Sequence, residues 1–489
     1  MKFKTLYILC LFATPILGQE QEPAFNYKVE ATGIVTNGEF APLWLTANRY
    51  GKTSAKDKQA SLQAGIFYHQ DFKHHWRIEA GLDLIGGKNL TSNFWVHQAY
   101  ADFSWNILSI SVGSKERNGY PLSKNEELTS GWMVEGNNMR PIPQIRGEIK
   151  DYFSIPGTKN WVAFKGHIAY GWFTDGRWQE DFVSKEQLFT KGVRYHSKSL
   201  MLRFGNKDKF PVELEWGIIT SAQFGGKQMI KNANGSVSIK KDFPNGMKDY
   251  IEIFIPKQKS TYENVSGNHC GSWNFALNSY IGDWKVRAYL EHYFEDHSQM
   301  FWQYGRWKDG LLGFEVSLPK NRWISNILWE GMATKDQTGP ILYDGGIGSF
   351  HDLQMSGRDN YYNNGEFLGW QHHGASIGHP FLHGPQYNSD GTNTIKSNRI
   401  RSNHLGISGT PSEEWSWRIL VSFARHWGTY SVPLDKQQKQ FSGLAEISYK
   451  PNWSKGWSAS VSLGLDRGNH LGNSTGGMIS IRKTGGFNL

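Results

Sequence analysis

Cysteine is scarce in this sequence, which contains only Cys10 and Cys270 among its 489 residues. Cys10 lies in an N-terminal segment that we expect to be removed, which leaves Cys270 as the only cysteine of the mature chain. No intramolecular disulfide can then form. The fold must therefore be held together by packing and backbone hydrogen bonding.

Long hydrophobic runs are also missing. After the N-terminus, no window reaches the roughly 18 consecutive apolar residues that a membrane-spanning helix needs. This excludes a helical membrane protein but leaves a membrane β-barrel open, because barrel strands carry apolar residues only at alternate positions. Aromatic residues are nevertheless abundant, with 21 Trp, 21 Tyr and 28 Phe, although only 38% of all residues are hydrophobic.

Residues 1–18 have the layout of a secretory signal peptide, with two lysines, an apolar run and the small residue Gly18 before a polar segment. The run is too short for a retained membrane helix. A lipoprotein signal is disfavoured because Leu9, rather than a small residue, precedes Cys10. We expect cleavage near Gly18 and an exported mature chain.

The charge balance is moderately basic, with 53 Lys and Arg against 44 Asp and Glu and a net charge of +9. No polybasic run is present, and nucleic acid is not an expected partner of an exported chain. An acidic polymer or a lipid surface fits the balance better.

Alternation of apolar and polar residues with period two runs along the whole chain and predicts β-strands. In residues 457–466, WSASVSLGLD, one face carries Trp, Ala, Val and two Leu, and the other carries three Ser, Gly and Asp. Residues 77–84, 212–218 and 284–291 alternate in the same way. Each strand thus has one apolar face and one charged or small face.

A soluble sandwich would turn the apolar face inward, whereas a membrane barrel would turn it outward. The strand number, about 18, and strand lengths of about nine to eleven residues favour a barrel that crosses a bilayer. Aromatic residues at strand ends resemble the interfacial girdles of such barrels: Trp76, Trp105, Trp161, Trp172, Trp273, Trp417, Trp427 and Trp457. We predict an all-β fold, a transmembrane outer-membrane β-barrel of about 18 antiparallel strands.

No linker divides residues 19–489, so we predict a single barrel domain. Short and long connections alternate, as in a barrel with one tight and one elaborated end. The long connections are predicted at 115–144, 173–198, 220–248 and 333–403, and the last is too long for a bare loop. Helical periodicity is weak.

The only two helical candidates are residues 121–131 and 184–193. Residues 249–255, DYIEIFI, alternate and are predicted as a strand.

Residues 363–385 contain His372, His373, His379 and His383. The first two are adjacent and would point to opposite faces of a strand. The last two have helical metal-site spacing, but neighbouring glycines and prolines oppose a helix. Without a nearby Asp or Glu or an H-E-x-x-H motif, we predict no metal site and no cofactor. Polar loop residues are the preferred interpretation, and a zinc site is the alternative.

No catalytic residues are predicted, because the sequence has no G-x-S-x-G motif and no nucleophile with a recognisable base. Adjacent carboxylates such as Glu126 and Glu127 say nothing about the spacing that glycoside hydrolysis requires. A hydrolase that uses the histidines remains an alternative.

Residues 356–374 suit carbohydrate binding, because aromatic faces stack on sugars while amides and arginine hydrogen-bond hydroxyls and carboxylates. The alternative is an aromatic girdle at the membrane interface. The candidates are Arg358, Asp359, Tyr361, Tyr362, Asn363, Asn364, Trp370 and His372.

Three blocks, APLWLTANRYG (41–51), NNMRPIPQI (137–145) and YYNNGEFLGWQHHGASIGHPF (361–381), resemble recurring blocks of the Wzi capsule-assembly family. The resemblance extends over nearly the whole mature chain. It implies an 18-stranded outer-membrane barrel that acts as a non-enzymatic surface lectin for capsular polysaccharide. It also implies a helical element on the periplasmic side.

Carried over by motif, the resemblance adds Arg49, Tyr50, Asn138 and Arg140 to the binding candidates. Its other matching positions are Trp44, Asn48, Pro141, Gly369, Gly374 and Gly378. The expected partners are a surface polysaccharide, for which the positive net charge favours an acidic polymer, and outer-membrane lipid, with the protein a monomer. The alternative function is a porin or oligosaccharide transporter, suggested by charged residues on the inward faces.

Overall fold

A computed structural model describes residues 24–119, 121–256, 266–295, 300, 309–319, 323–337 and 359–488. The predicted signal peptide lies outside the described residues. Within them, 18 strands form one closed antiparallel sheet. This confirms the predicted all-β barrel and its strand number.

The barrel strands follow one another in chain order around the wall. They are β1 Ala24–Asn37, β2 Lys58–Phe72, β3 Trp76–Lys88, β4 Phe94–Trp105, β5 Leu108–Ser114, β6 Gln144–Ser154, β7 Val162–Trp172, β9 Arg194–Phe204, β10 Val212–Phe224, β13 Asn268–Ile281, β14 Trp284–Phe294, β15 Gly310–Ser317, β16 Asn326–Ala333, β19 Ile400–Gly409, β20 Trp415–Gly428, β21 Pro433–Tyr449, β22 Trp457–Gly468 and β23 Ser474–Asn488. Closure comes from pairing of β1 with β23, in which Gly33 lies opposite Ile479.

The apolar faces of the strands point outward. On β22, Val461 and Leu463 are 52% and 64% exposed. Ser462 between them and Asp466 further along the strand are buried, with 0% and 1% exposed. On β10, Leu214 and Trp216 are exposed while Glu213 is buried. A soluble sandwich would show the opposite arrangement, so the outer surface is the one that lipid covers in a membrane barrel.

The two ends of the barrel differ sharply. At one end, which we call the short-turn end, the connections are 73–75, 106–107, 155–161, 205–211, 282–283, 318–325, 410–414 and 450–456. At the other end, the long-connection end, lie 38–57, 115–143, 173–193, 225–267 and 334–399, together with shorter connections. The predicted connections at 115–144 and 333–403 agree within a few residues, whereas the connection at 38–57 was not predicted as long.

Five further strands lie in the long connections. β8 Leu188–Lys191, β11 Lys227–Lys231 and β12 Val237–Asp242 form a three-stranded sheet, which we call the surface sheet. β17 Gln371–His372 and β18 Ala375–Ser376 pair with each other as a hairpin with two residues in each strand. Two predicted connections differ from those observed. The connection predicted at 173–198 ends earlier, because β9 begins at Arg194, and the one predicted at 220–248 begins later, because β10 continues to Phe224.

The helices are short: α1 Leu43–Thr46, α2 Gly176–Phe182 and α3 Met247–Phe254, with 3₁₀ turns at Lys73–His75 and Pro385–Tyr387. Among the described residues, no helix is long and apolar enough to cross a membrane. These three α-helices all belong to long connections. The described part of the short-turn end holds no α-helix, and the helical element that the family resemblance implies is not seen in that part.

Three local predictions were wrong. Residues 121–131 form turns without a helix, and 184–193 contain strand β8. Residues 249–255 form most of α3, because Tyr250 and Ile253, three positions apart, pack together against Phe224 of β10. The alternating isoleucines at 251 and 255 that suggested a strand are exposed.

Candidate functional site

Three long connections fold back into the barrel and fill the half of the lumen nearest the long-connection end. We call the described residues of 38–57, 115–143 and 359–399 the plug. Its largest buried side chains include Trp132, Trp370, Tyr361, Tyr362 and Phe381, each at most 1% exposed. All of these aromatic residues except Trp132 belong to one continuous apolar cluster with inward-facing wall residues.

Two buried glutamates of the wall hold the 115–143 segment. Glu330 of β16 accepts hydrogen bonds from the backbone N–H and the hydroxyl of Ser130 at 2.6 and 2.5 Å. Glu291 of β14 accepts the N–H of Met133 at 2.9 Å. The ammonium of Lys124 lies between the two carboxylates and pairs with both. Because all these groups are buried, the ion pairs fix the position of the segment.

The 38–57 segment is anchored a few strands further round the wall, on β20 and β22. The N–H of Leu43 donates to Asp466 Oδ2 of β22 at 3.0 Å. Trp44 Nε1 donates to Ser422 Oγ of β20 at 3.0 Å. Helix α1 is therefore held by wall side chains at its first two residues.

The three sequence blocks meet inside the plug around Asn138. Its Oδ1 accepts the N–H of Asn48 at 3.2 Å, and its Nδ2 donates to the carbonyl of Ser376 at 3.1 Å. Tyr50 N–H donates to the carbonyl of Asn137 at 2.6 Å. The blocks thus share a structural role, which is to join the three plug segments to one another.

The aromatic and histidine candidates lie inside the plug. Tyr361, Tyr362, Trp370 and His372 are at most 1% exposed. The hydroxyl of Tyr362 donates to the carbonyl of Met133, and His372 Nδ1 lies 3.0 Å from the carbonyl oxygen of Arg140. Glycan contact through these side chains remains a prediction, and it would require the plug to open.

The polar candidates of the third block support the plug backbone. Asn363 Nδ2 donates to the carbonyl of Ile395 at 2.8 Å, and Asn364 Oδ1 accepts the N–H of Glu366 at 2.8 Å. Asp359 is 8% exposed. Arg358 lies outside the described residues.

The two arginine candidates face different surroundings. The Arg140 guanidinium lies 3.8 Å from the centroid of the Trp95 ring, and burial lowers the pKa of Arg140 to about 9. Arg49 Nη2 lies 3.4 Å from Glu446 Oε2 of β21. The Tyr50 hydroxyl donates to the carbonyl of Arg117 at 3.1 Å.

Below the plug, a cavity of about 450 Å³ occupies the lumen toward the short-turn end. Arg49 and Tyr50 belong to its roof, and its walls carry Arg418, Glu446 and Arg482. Glu446 pairs with Arg418 at 2.8 Å as well as with Arg49. Plug residues, among them Asn48, Tyr50 and Asn137, line one side of this charged cavity.

At the long-connection end, the surface sheet and α2 present an exposed polar face. Residues 238–242 of β12 are all exposed and include Lys240 and Lys241. Beside the sheet, the rings of Trp178 and Phe182 on α2 stack with centroids 4.8 Å apart. This end of the barrel thus carries exposed lysines on β12, of which Lys241 pairs with Glu366, and a half-buried aromatic pair on α2. Cationic and aromatic groups of this kind suit anionic sugars. Sequence reasoning missed this face because its residues are separated by more than fifty positions.

The four predicted loop histidines do not form one group. His372 and His373 have ring centroids 4.6 Å apart and both approach Thr174, so they are not on opposite faces. The reason is that His373 leaves the strand with a φ of 52°. Nε2 of His379 lies 3.0 Å from Ser130 Oγ, and Nδ1 of His383 lies 3.0 Å from Nε2 of His470.

No family model matches the sequence, and no curated protein matches it. Solved structures are similar in fold. One is Wzi of Escherichia coli, described as an outer-membrane protein involved in group 1 capsule assembly and a carbohydrate-binding β-barrel. It has a TM-score of 0.57 and 14% identity, over 93% of this chain and 83% of that one.

A second similar structure is OccK5 (OpdH) of Pseudomonas aeruginosa, with a TM-score of 0.50 and 9% identity. The similarity covers 96% of this chain and 99% of that one. At these identities the comparisons establish the fold, an 18-stranded antiparallel β-barrel of the outer-membrane type.

Proposed function

We propose that this protein is a non-enzymatic outer-membrane barrel that binds a surface polysaccharide and holds it at the cell exterior, as the sequence blocks that resemble the Wzi family imply. The observation that carries the proposal is the filled lumen. Buried ion pairs and hydrogen bonds anchor the plug to β14, β16, β20 and β22, which leaves little room for a solute to pass.

Bacterial outer-membrane barrels keep short turns in the periplasm and long loops outside. On this rule the surface sheet faces the exterior, where a polysaccharide would be met. Lys240 and Lys241 are exposed there, Lys241 beside the carboxylate of Glu366, and Trp178 is a half-exposed ring stacked on Phe182. Basic and aromatic groups together favour a polymer that carries uronate or other acidic groups.

Binding can be tested with purified protein and the capsular polysaccharide of the source cell. The double variant Lys240→Ala/Lys241→Ala should weaken binding several-fold, and the remaining affinity should depend less on salt. Lys207→Ala/Lys209→Ala is the matched control, because these two lysines are exposed at the short-turn end.

Absence of glycan binding by the wild-type protein, together with full capsule retention in a deletion strain, would refute the proposal.

A porin or oligosaccharide transporter is the second candidate, favoured by the charged cavity of about 450 Å³ below the plug. Single-channel conductance in planar bilayers separates the two functions. A plugged binding protein should conduct almost no ions, whereas a transporter should open with its solute. Sustained conductance of the wild-type protein would favour the second candidate.

A further inference from the structure

Three histidines from distant parts of the chain converge at the rim of the long-connection end. His383 belongs to the plug, His426 faces inward near the end of β20, and His470 lies in the connection between β22 and β23. One ring nitrogen from each lies within 4.8 Å of the other two. As far as the described residues go, the group contains no carboxylate and no cysteine.

Neighbouring polar groups orient two of the rings. Gln438 Oε1 lies 2.7 Å from His470 Nδ1, and this carbonyl oxygen can only accept, so Nδ1 carries the proton. The lone pair of neutral His470 is then on Nε2, which lies 3.0 Å from His383 Nδ1. Ser397 Oγ lies 3.3 Å from His426 Nδ1. Nε2 is therefore the nitrogen of His426 that is free to bind an ion.

Two of the rings carry buried nitrogens without partners. His426 is 0% and His383 7% exposed, and within the described residues Nε2 of each has no hydrogen-bond partner. A buried polar atom without a partner is costly in a folded protein. The His426 and His470 rings stack with centroids 3.6 Å and planes 11° apart, so one ring must turn for both to direct a lone pair at one ion.

We propose that His383, His426 and His470 bind one divalent transition-metal ion of the imidazole-preferring class, with Zn²⁺ as the representative ion. Three histidines with a fourth position open to water form a known tetrahedral zinc arrangement. Tetrahedral zinc–nitrogen bonds of about 2.0 to 2.1 Å place the ligand nitrogens about 3.4 Å apart. The three nitrogens, which lie within 4.8 Å of one another, must therefore converge by up to about 1.5 Å through side-chain rotation. Partly exposed His470 supplies the access route from solvent.

The ion would join the plug to the wall. His383 is carried by the longest plug segment, whereas His426 belongs to a barrel strand and His470 to the adjacent rim connection. Gln438 acts as a positioning residue, because it fixes the tautomer of His470 without touching the ion. Binding to the folded plug alone would stabilise it by mass action.

The test uses the untagged full-length protein in detergent after removal of metals with a chelator. Calorimetric titration with Zn²⁺ should give one saturable site per chain, and X-ray absorption should show three imidazole nitrogens at about 2.0 Å. His470→Ala should weaken binding at least about 100-fold, and Gln438→Leu about 10-fold, in line with the effect of ligand-supporting residues.

His74→Ala/His75→Ala is the matched control, since these histidines are exposed at the short-turn end, and its affinity should equal that of the wild type. Heat-modifiable migration on a denaturing gel checks that each variant is folded. Saturating Zn²⁺ should raise the temperature of that transition in the wild type but not in His426→Ala. The proposal fails if no site saturates at one ion per chain, or if folded His470→Ala binds as tightly as the wild type.

Discussion

The barrel wall and the plug are held together in different ways. Wall strands pair through regular backbone hydrogen bonds around a closed circle, and their outward residues only need to be apolar. The plug has few regular elements and depends on single side chains such as Glu330 and Asp466. The wall should therefore tolerate loss of the plug, whereas the plug cannot keep its structure without the wall.

Of the substitutions that separate plug from wall, Glu330→Ala should have the largest effect, because it weakens the attachment of the plug. The change removes the acceptor of the Ser130 N–H and hydroxyl and one partner of Lys124. Breaking such a buried network costs about 3 to 5 kcal/mol. We expect the plug to detach locally, which planar-bilayer recordings would detect as new conductance, while heat-modifiable migration shows an intact wall.

Glu413→Ala is the control for that experiment, because Glu413 is exposed in a short turn. A Glu330→Ala protein that conducts no more than this control would show that the plug does not depend on its carboxylate anchors.

The wall could be predicted from the sequence because its pattern is local. Alternation along residues 457–466 is visible without any partner strand, and the exposed Val461 and Leu463 of β22 bear it out. The prediction failed at 249–255, where alternating isoleucines also fit a helix with one buried face. Short apolar segments are ambiguous in this way, and only the packing of Tyr250 on Phe224 resolves it.

The plug could not be predicted, because its contacts join residues far apart in sequence. Ser130 and Glu330 are separated by 200 positions, and His383 and His470 by 87. The histidines drew attention as a cluster in sequence, yet the group that forms in space takes only His383 from that stretch. The block NNMRPIPQI, whose glycan contact stays a prediction, holds the plug segments together through Asn138.

Leu463→Arg tests the wall side of the comparison. Leu463 is 64% exposed near the middle of β22, and an arginine facing lipid at the bilayer midplane costs about 2 to 4 kcal/mol. Urea unfolding in lipid vesicles would measure the loss. Ser460→Arg is the matched control, since Ser460 on the same strand lines the lumen cavity. Equal destabilisation by the two variants would contradict the assignment of the outer face to lipid.

Gly378→Ala should have a smaller effect that is confined to the plug. A Cβ at Gly378 would lie 2.2 Å from the Tyr362 hydroxyl and 2.7 Å from the carbonyl oxygen of Met133. Overpacking of this kind costs about 1 to 3 kcal/mol. Limited proteolysis should therefore cut the plug of this variant faster than that of the wild type.

Gly365→Ala provides the comparison for Gly378→Ala, because a Cβ there meets nothing within 4 Å in the same connection. If the two variants are cleaved at the same rate, the third sequence block does not depend on close packing at Gly378.

The smallest effect is the share of His379 in the loss of plug stability that mild acid causes. Burial lowers the pKa of His379 from 6.5 to about 3, although Glu330 opposes the shift. Between these values the unfolded plug binds a proton and the folded plug does not, so stability falls as the pH decreases below 6.5. Between pH 7.5 and pH 6, the titration of His379 should lower the free energy of plug unfolding by about 0.8 kcal/mol. His379→Gln should reduce the pH dependence of plug proteolysis by that amount, and exposed His74→Gln should leave it unchanged. A pH dependence that is the same in both variants would place the acid-sensitive contacts elsewhere in the plug, or in the wall.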